Sequence, residues 1–410
     1  MSIGIMYHSF TVFFLPLKRD LAVSSAAISL LYGATRLEGG AEGPLVGRLI
    51  DKFGPRVVII GGLTMASLGL ILLAQTNSFL TFFLVYVFIV SFGYNAGSFH
   101  PVSTAVNSWF IRRRATAFAI IAASGSVGGM IMAPLLSSLI LNYGWRTGAF
   151  VSGLLILAIA IPAATLIQST PESRGLHPDG RPLPPPSTEQ FTFAVHVPAD
   201  VHFTLKQALR TFTYWLLTMS VTLRLLVTVA LAAHLIPILT WKGMGEARAA
   251  YLVSLFAFGT IIFTLSFGWL GDRWNKSRLS ALGILATVVS LIVLIVSQSI
   301  IALYLFPIGL AFTMGTTPLN WALIGDLFGR RSYATLRGIM GLVYGTATFG
   351  SPIYAGWIFD RTYSYNIALI TFAIILLVAA SLFAIVRRPP PPPPRSSRRS
   401  PMHRPLASLS

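Results

Sequence analysis

Apolar runs of about 18 residues or more recur from one end of the chain to the other, separated by short stretches rich in Gly, Pro, Lys and Arg. A run of that length crosses a hydrocarbon core of about 30 Å as a helix. The pattern predicts twelve spans, at residues 3–17, 25–47, 57–76, 79–108, 115–141, 147–167, 211–240, 249–269, 279–297, 300–325, 337–358 and 366–386. Two segments depart from it. Residues 168–210 carry Pro184-Pro185-Pro186-Ser187, histidines and scattered charge, and read as a linker between two halves, 1–167 and 211–386. Within the linker, Thr204 with Gln207 three positions on predicts a capping box that opens a short amphipathic surface helix. Residues 387–410 hold a six-proline run flanked by arginines, the composition of an extended, disordered tail.

The two halves repeat each other. Gly47-Arg48-Leu49-Ile50-Asp51-Lys52-Phe53-Gly54-Pro55-Arg56 joins spans 2 and 3, and Gly268-Trp269-Leu270-Gly271-Asp272-Arg273-Trp274-Asn275-Lys276 joins spans 8 and 9. Asp51 and Asp272 lie 221 positions apart, as do Pro16 and Pro237. Phe110-Ile111-Arg112-Arg113 against Phe328-Gly329-Arg330-Arg331, and Pro134 against Pro352, keep an offset of 218. So steady an offset marks a duplicated membrane bundle, the construction of alternating-access transporters. Span 1 fits it least well. Its fifteen residues rise about 22 Å, and the offset carried back from span 7 would start it about ten residues before Met1. The expectation is that Met1 lies downstream of the true start; Leu15-Pro16-Leu17-Lys18-Arg19 lacks the small residues of a signal-peptide cleavage site.

Composition narrows the class. With 54% hydrophobic and 10% charged residues and a mean hydropathy of +0.74, the chain is not a soluble globular protein. The net charge of +18 is spread in a way that excludes a nucleic-acid surface. Lys and Arg gather in alternate loops, 48–56, 112–114, 174–210, 273–278, 330–337 and 387–404, while the intervening loops hold only Lys18, Arg19, Arg146, Lys242, Arg248 and Arg361. That asymmetry places the rich loops, the linker and the C-terminus in the cytoplasm. A multi-pass protein of the cell (inner) membrane is expected, working as a monomer, with the bilayer and a small molecule as its partners. There is no cysteine, so disulfide and thiolate-metal chemistry are excluded. No phosphate-binding Gly-x-x-x-x-Gly-Lys-Ser/Thr loop and no paired-histidine zinc spacing occur, so neither a cofactor, a metal nor an enzymatic activity is expected.

The run Gly-x-x-x-Asp-Lys-x-Gly-x-Arg at 47–56 resembles the loop motif of the major facilitator superfamily, over residues 1–386. Arg36-Leu-Glu-Gly-Gly-Ala-Glu-Gly-Pro44, Arg112–Arg114, Tyr143-Gly-Trp-Arg146 and Pro171-Glu-Ser-Arg-Gly-Leu-His-Pro-Asp-Gly180 resemble its bacterial branch near the oxalate–formate antiporters and monocarboxylate transporters. The resemblance implies an all-α membrane protein, twelve transmembrane helices in two pseudo-symmetric six-helix bundles. It also implies that helices 1, 2, 4, 5, 7, 8, 10 and 11 line a cavity while 3, 6, 9 and 12 face lipid. In keeping with this, spans 3, 6, 9 and 12 have no ionisable residue in their interiors.

Gly39, Gly43 and Gly47 recur every four residues and clear one face of span 2 for close backbone approach. The resemblance implies that this face meets span 11. Asp51, at the helix end, is placed to accept from exposed amides of a facing helix N-terminus and to pair with Arg56. Together with Gly54 these residues predict a latch that holds the outward-facing state. Asp272 and Arg273 predict a weaker counterpart, because the glycines and final arginine around them are less complete.

Arg36 and Arg224 are the only basic residues the pattern puts inside spans, and buried charge marks a pathway. Arg36 lies about 22 Å along the helix from Asp51 and within about 20° of Gly43 and Gly47, hence on the cavity face. Two guanidiniums suit a carboxylate. Oxalate–formate antiporters place their cations on helices 8 and 11, which argues against oxalate here. Tyr94 and Asn95 in span 4 and Asn320 in span 10, among Ser98, Asn107, Thr316, Thr317 and Asp326, predict a polar cavity wall. Glu38 and Glu42 share a face at i, i+4 and form a candidate proton site; alternatively Glu42 braces the Arg112–Arg114 loop. His100 and His234 are further proton candidates, or local hydrogen-bonding residues.

The sequence thus predicts a secondary active transporter of a small, carboxylate-type organic anion, by proton symport or anion exchange. One alternative is an exporter of amphipathic compounds in the same fold. Another is a non-transporting solute sensor, which would need a signalling domain that neither linker nor tail can fold.

Overall fold

The computed structural model describes Asp20 and residues 25–182 and 203–391. Predicted span 1, with His8, lies outside the described residues, as does the side chain of Arg36. Eight helices among the described residues are long and apolar enough to cross a membrane. One of them, Arg114–Thr165, comprises spans 5 and 6 joined at Gly144, whose φ of 82° makes the turn. Two more helices, Ser25–Phe53 and Tyr333–Thr362, are spans 2 and 11. They carry more charge and glycine, because they pack on each other rather than on lipid. Apart from a two-residue antiparallel pair, Leu176 with Pro182 and His177 with Arg181, the described residues form helices and loops.

Local chemistry sets the ends. Gly54 closes span 2 with φ 80°, and Pro55 opens span 3 where a missing amide costs nothing. Asn275 caps span 9 by accepting from the Arg278 amide at 3.0 Å, and Thr211 caps span 7 from Tyr214 at 3.3 Å. Thr204 and Gln207 form a reciprocal capping box ahead of Leu205–Leu209. Span 7 breaks at His234 and span 10 at Thr316.

The structure corrects the predicted lengths at the lysine- and arginine-rich end. Span 2 continues six residues past 47, and span 11 starts four residues before 337. Arg337, counted with a loop on hydropathy, therefore sits in a helix and is 2% exposed.

Each half has its own apolar core, around Leu63, Leu70, Phe82 and Trp145 in the first and Leu217, Leu310, Phe372 and Phe383 in the second. The outer faces of spans 3, 9 and 12 show Leu72, Val289, Ile292, Ile370 and Ile374, an apolar surface that a bilayer covers. At the end opposite the basic loops, Arg146 pairs with Asp20, and Trp145 Nε1 donates to the same carboxylate at 3.0 Å. These bonds hold the Asp20 carboxyl below its ordinary range.

Spans 3 and 4 touch backbone to backbone: a Cβ on Gly62 would lie 2.4 Å from Gly97 N, whereas one on Gly61 meets nothing within 4 Å. Gly62→Ala should therefore cost about 1–3 kcal/mol through overpacking. Gly61→Ala should be neutral or stabilise by up to about 1 kcal/mol. Thermal unfolding of the two purified variants in detergent distinguishes the cases.

Candidate functional site

At the basic end the two halves meet along a glycine seam. A Cβ on Gly43 would fall 2.7 Å from Gly338 O, and one on Gly47 would fall 2.6 Å from Ala334 O. Only glycine allows span 2 to approach span 11 this closely. At the foot of the seam Asp51 accepts from Thr335 N at 3.1 Å and from Thr335 Oγ1 at 2.5 Å. Thr335 is in the first turn of span 11, where backbone amides lack intrahelical acceptors and the helix dipole favours a negative charge.

The second half returns the contact. Asp272, ending span 8, accepts from Ala115 N at 2.8 Å and Thr116 N at 3.0 Å, in the first turn of span 5. Gly268 faces Ala119, and a Cβ there would also come within 3.1 Å of Ala115 O. Where the sequence predicts the weaker contact at Asp272, that carboxylate takes two backbone amides, while Asp51 takes the Thr335 amide and hydroxyl and also lies against the Ala334 amide. The expected pairing of Asp51 with Arg56 is likewise absent among the described residues. Arg273 lies 3.7 Å over the Trp269 ring and bonds the carbonyl of its own helix, Trp269 O, at 3.5 Å. A helix N-terminus is already a cationic partner, so the arginine is not needed for the grip.

A charge cluster that sequence reasoning missed flanks the seam. Asp326, expected in the cavity wall, instead stands at the basic end of span 10. It accepts from Arg114 Nη1 at 2.6 Å across the halves and from Lys276 Nζ at 2.8 Å. Arg114 is 2% exposed and also bonds Phe110 O and Asn107 O. The linker joins in. Glu172 accepts from Arg330 Nη1 at 2.8 Å, and Asp179 accepts the amides of Ile111 and Arg112 at 3.0 and 3.3 Å. The available signal was that Asp326 is the only acid in span 10 and lies next to the basic loops.

Deeper in the membrane, Arg224 and Asn320 come together. Arg224 is fully buried, and its Nη1 donates to Thr313 O at 3.2 Å and Thr317 Oγ1 at 3.4 Å. With its oxygen turned to the guanidinium, the Asn320 amide accepts from Nε at 3.3 Å and Nη2 at 2.9 Å. Arg337 donates to Phe99 O at 3.3 Å and to Ser103 Oγ, between the rings of Phe99 and Trp321 at 4.6 and 4.5 Å. Among the described residues neither arginine has a carboxylate partner.

Glu38 Oε2 accepts from Ser91 Oγ at 2.8 Å and Asn95 Nδ2 at 3.4 Å, and Glu42 lies against both Glu38 and Asn95. The carboxyls therefore face span 4, while Arg114 of the loop that Glu42 was alternatively expected to brace bonds Asp326. Tyr94 is buried beside this group on span 4. His100, on span 4, stands near Arg337. His234 bonds Tyr365 Oη and Pro352 O, both at 3.0 Å, and ties spans 7, 11 and 12 together.

A family model described as Major Facilitator Superfamily matches residues 1–244 and 212–410. The MFS transporter asaE of Aspergillus flavus is 30% identical over 258 residues, covering 62% of this chain and 52% of that protein, so the chain spans about half of its length. Monocarboxylate transporter 6 of Homo sapiens is 25% identical over 89% of this chain and 74% of its own, and monocarboxylate transporter 13 of Rattus norvegicus 26% over 88% and 80%. Among solved structures, the transporter FucP in its outward conformation superposes with a TM-score of 0.71 at 16% identity, over 95% of this chain and 97% of its own.

Two measurements check the seam. A Cβ on Gly40 would lie 3.5 Å from Gly345 Cα, and one on Gly345 3.1 Å from Gly40 Cα, within disulfide reach. Because the chain has no cysteine, Gly40→Cys with Gly345→Cys should crosslink cleanly under oxidation, read as a mobility shift that dithiothreitol reverses. Asp51→Asn and Asp272→Asn should each weaken closure by about 1–2 kcal/mol, lowering the ratio of closed to open molecules about five- to thirtyfold and slowing that crosslinking in step with the closed fraction that remains.

Proposed function

The chain belongs to the major facilitator superfamily, and we propose that it is a secondary active transporter of a small organic anion of the carboxylate type. Membership makes it a multi-pass membrane protein that moves a small molecule rather than transforming one. The observation that carries the anion reading is Arg224: a fully buried guanidinium in span 7 whose described partners are a carbonyl, a hydroxyl and an amide. Burying an unpaired charge costs several kcal/mol, and a substrate carboxylate offsets that cost with bidentate hydrogen bonds. Arg337 repeats the arrangement in span 11, a helix the hydropathy pattern left without a cation. Arg36, with Tyr94, Asn95 and Asn320, completes the proposed pocket. The printed names of the two monocarboxylate transporters are in line with this chemistry.

Residues 1–167 and 211–386 act as the two rocking bodies in this reading, joined by 168–210, with 387–410 as a tail. The basic end faces the cytoplasm by its charge bias, so the closed seam corresponds to an outward-facing state. Buried polar atoms without a protein partner concentrate there, on Ser98, His100, Asn107, Tyr333 and Arg337. Buried polar groups are normally satisfied, so such a surface is suited to being wet in the opposite state. Glu38 and Glu42 are the proton site for symport in this reading, ahead of the other candidates His100 and His234.

Counterflow in proteoliposomes with radiolabelled mono- and dicarboxylates tests the reading. Arg224→Gln should lower kcat/KM for the active anion by about a hundredfold, as loss of a charge-assisted pair worth about 1.5–3 kcal/mol predicts within an order of magnitude. Arg361→Gln, in the last turn of span 11 at the opposite end, should leave it unchanged. Transport of neutral amphipaths but no anion would replace the reading with that of an exporter. An acid jump outside the vesicles should accelerate uptake, and Glu42→Gln should abolish that response while sparing anion exchange.

A further inference from the structure

Away from the seam, the basic end contains a polar cavity of about 400 Å³ between the loop after span 8 and the ends of spans 10 and 12. Lys276, Arg387 and Arg388 line it together with Asp326. Both carboxylate oxygens of Asp326 are already taken, by Arg114 and by Lys276. Arg388 Nη2 donates to the Asp326 carbonyl at 3.2 Å rather than to its carboxylate. Arg387 is exposed and makes no ion pair among the described residues. One carboxylate thus answers four cations, and the surplus positive charge faces a volume large enough for a small ligand. The first turn of span 9 adds to the field, since the amides of Lys276 and Ser277 have no acceptor within the helix. The lining also has apolar members, Leu323, Leu327, Val386 and the 63% exposed Trp274.

We propose that this cavity binds a phosphate-bearing anion, held by Lys276, Arg387 and Arg388. Phosphate is the chemistry that several convergent cations and free amides recognise together. Two sources could supply it, the headgroup of an anionic phospholipid or a soluble phosphate compound. The apolar lining residues and the position at the helix ends are where basic pockets take lipid headgroups. The site shares no residue with the pocket around Arg224, so it stands independently of what the protein carries.

The full-length protein in mild detergent, examined by native mass spectrometry, gives the test. Wild type offered phosphatidylglycerol and phosphatidylcholine should retain the anionic lipid about thirtyfold more, as two surface cations at about 1 kcal/mol each would give. Arg387→Gln with Arg388→Gln should bring the ratio close to one, while Arg361→Gln at the opposite end should preserve it. Inorganic pyrophosphate is titrated in parallel by thermophoresis without added lipid. A variant-sensitive lipid preference alone assigns the site to a headgroup, and variant-sensitive pyrophosphate binding alone assigns it to a soluble phosphate. A preference that survives the double substitution, or the absence of both lipid preference and pyrophosphate binding, overturns the proposal.

Discussion

Closure of the basic end rests on one interaction made twice, a carboxylate at the end of one helix gripping the unpaired first-turn amides of a helix in the other half. Asp51 grips span 11 and Asp272 grips span 5. Duplication makes the two contacts reciprocal, so the seam is held symmetrically and cannot open about one edge alone. The glycine stripe is the precondition. Gly43, Gly47 and Gly338 bring spans 2 and 11 close enough for Asp51 to reach, and Gly268 does the same between spans 8 and 5 for Asp272. Each grip contributes about 1 kcal/mol, up to about 2 when partly buried. Reversing a two-state population from 1:99 to 99:1 takes about 5.5 kcal/mol. Two grips with the Arg114–Asp326 pair come to the same order, enough to hold a state and little enough for a ligand to release it.

The same low-dielectric setting explains the division of labour among the charges. Arg114 and Lys276 have Asp326, and Arg330 has Glu172; these pairs brace the fold. Arg224 and Arg337 are as deeply buried and yet have only neutral partners among the described residues. A buried cation without a counter-ion is costly to retain, which is the ground for the anion proposed above. The paired charges lie at the basic end, and of the two without a described counter-ion Arg337 stands near that end, two residues from Thr335, while Arg224 lies deeper.

Much of this was legible in the chain. The offset between Asp51 and Asp272 identified the duplication, and helical periodicity put Gly43, Gly47 and Asp51 on one face. The Thr204–Gln207 cap followed from residue spacing alone. What escaped was decided by tertiary contact. Arg337 was hidden because hydropathy ends a span at the first charge, whereas the helix continues while its arginine is stacked between Phe99 and Trp321. Asp326 was misplaced because its meaning lies in Arg114, 212 residues earlier. The roles given to Arg56 and Arg273 failed for a simpler reason: the sequence displays side chains, while the actual partners of Asp51 and Asp272 include main-chain amides.

That last feature bears on how the protein can diverge. Asp272 holds only backbone N–H groups, so the Thr116 side chain takes no part in the contact and only proline there removes the amide, whereas Ala115 is fully buried against Gly268 and Gly271 and must stay small. On the other side, Thr335 contributes its hydroxyl as well as its amide, and a change there weakens the hold without abolishing it. The chemistry of each lock therefore resides in the side chain of the gripping residue and mainly in the main chain of the gripped one.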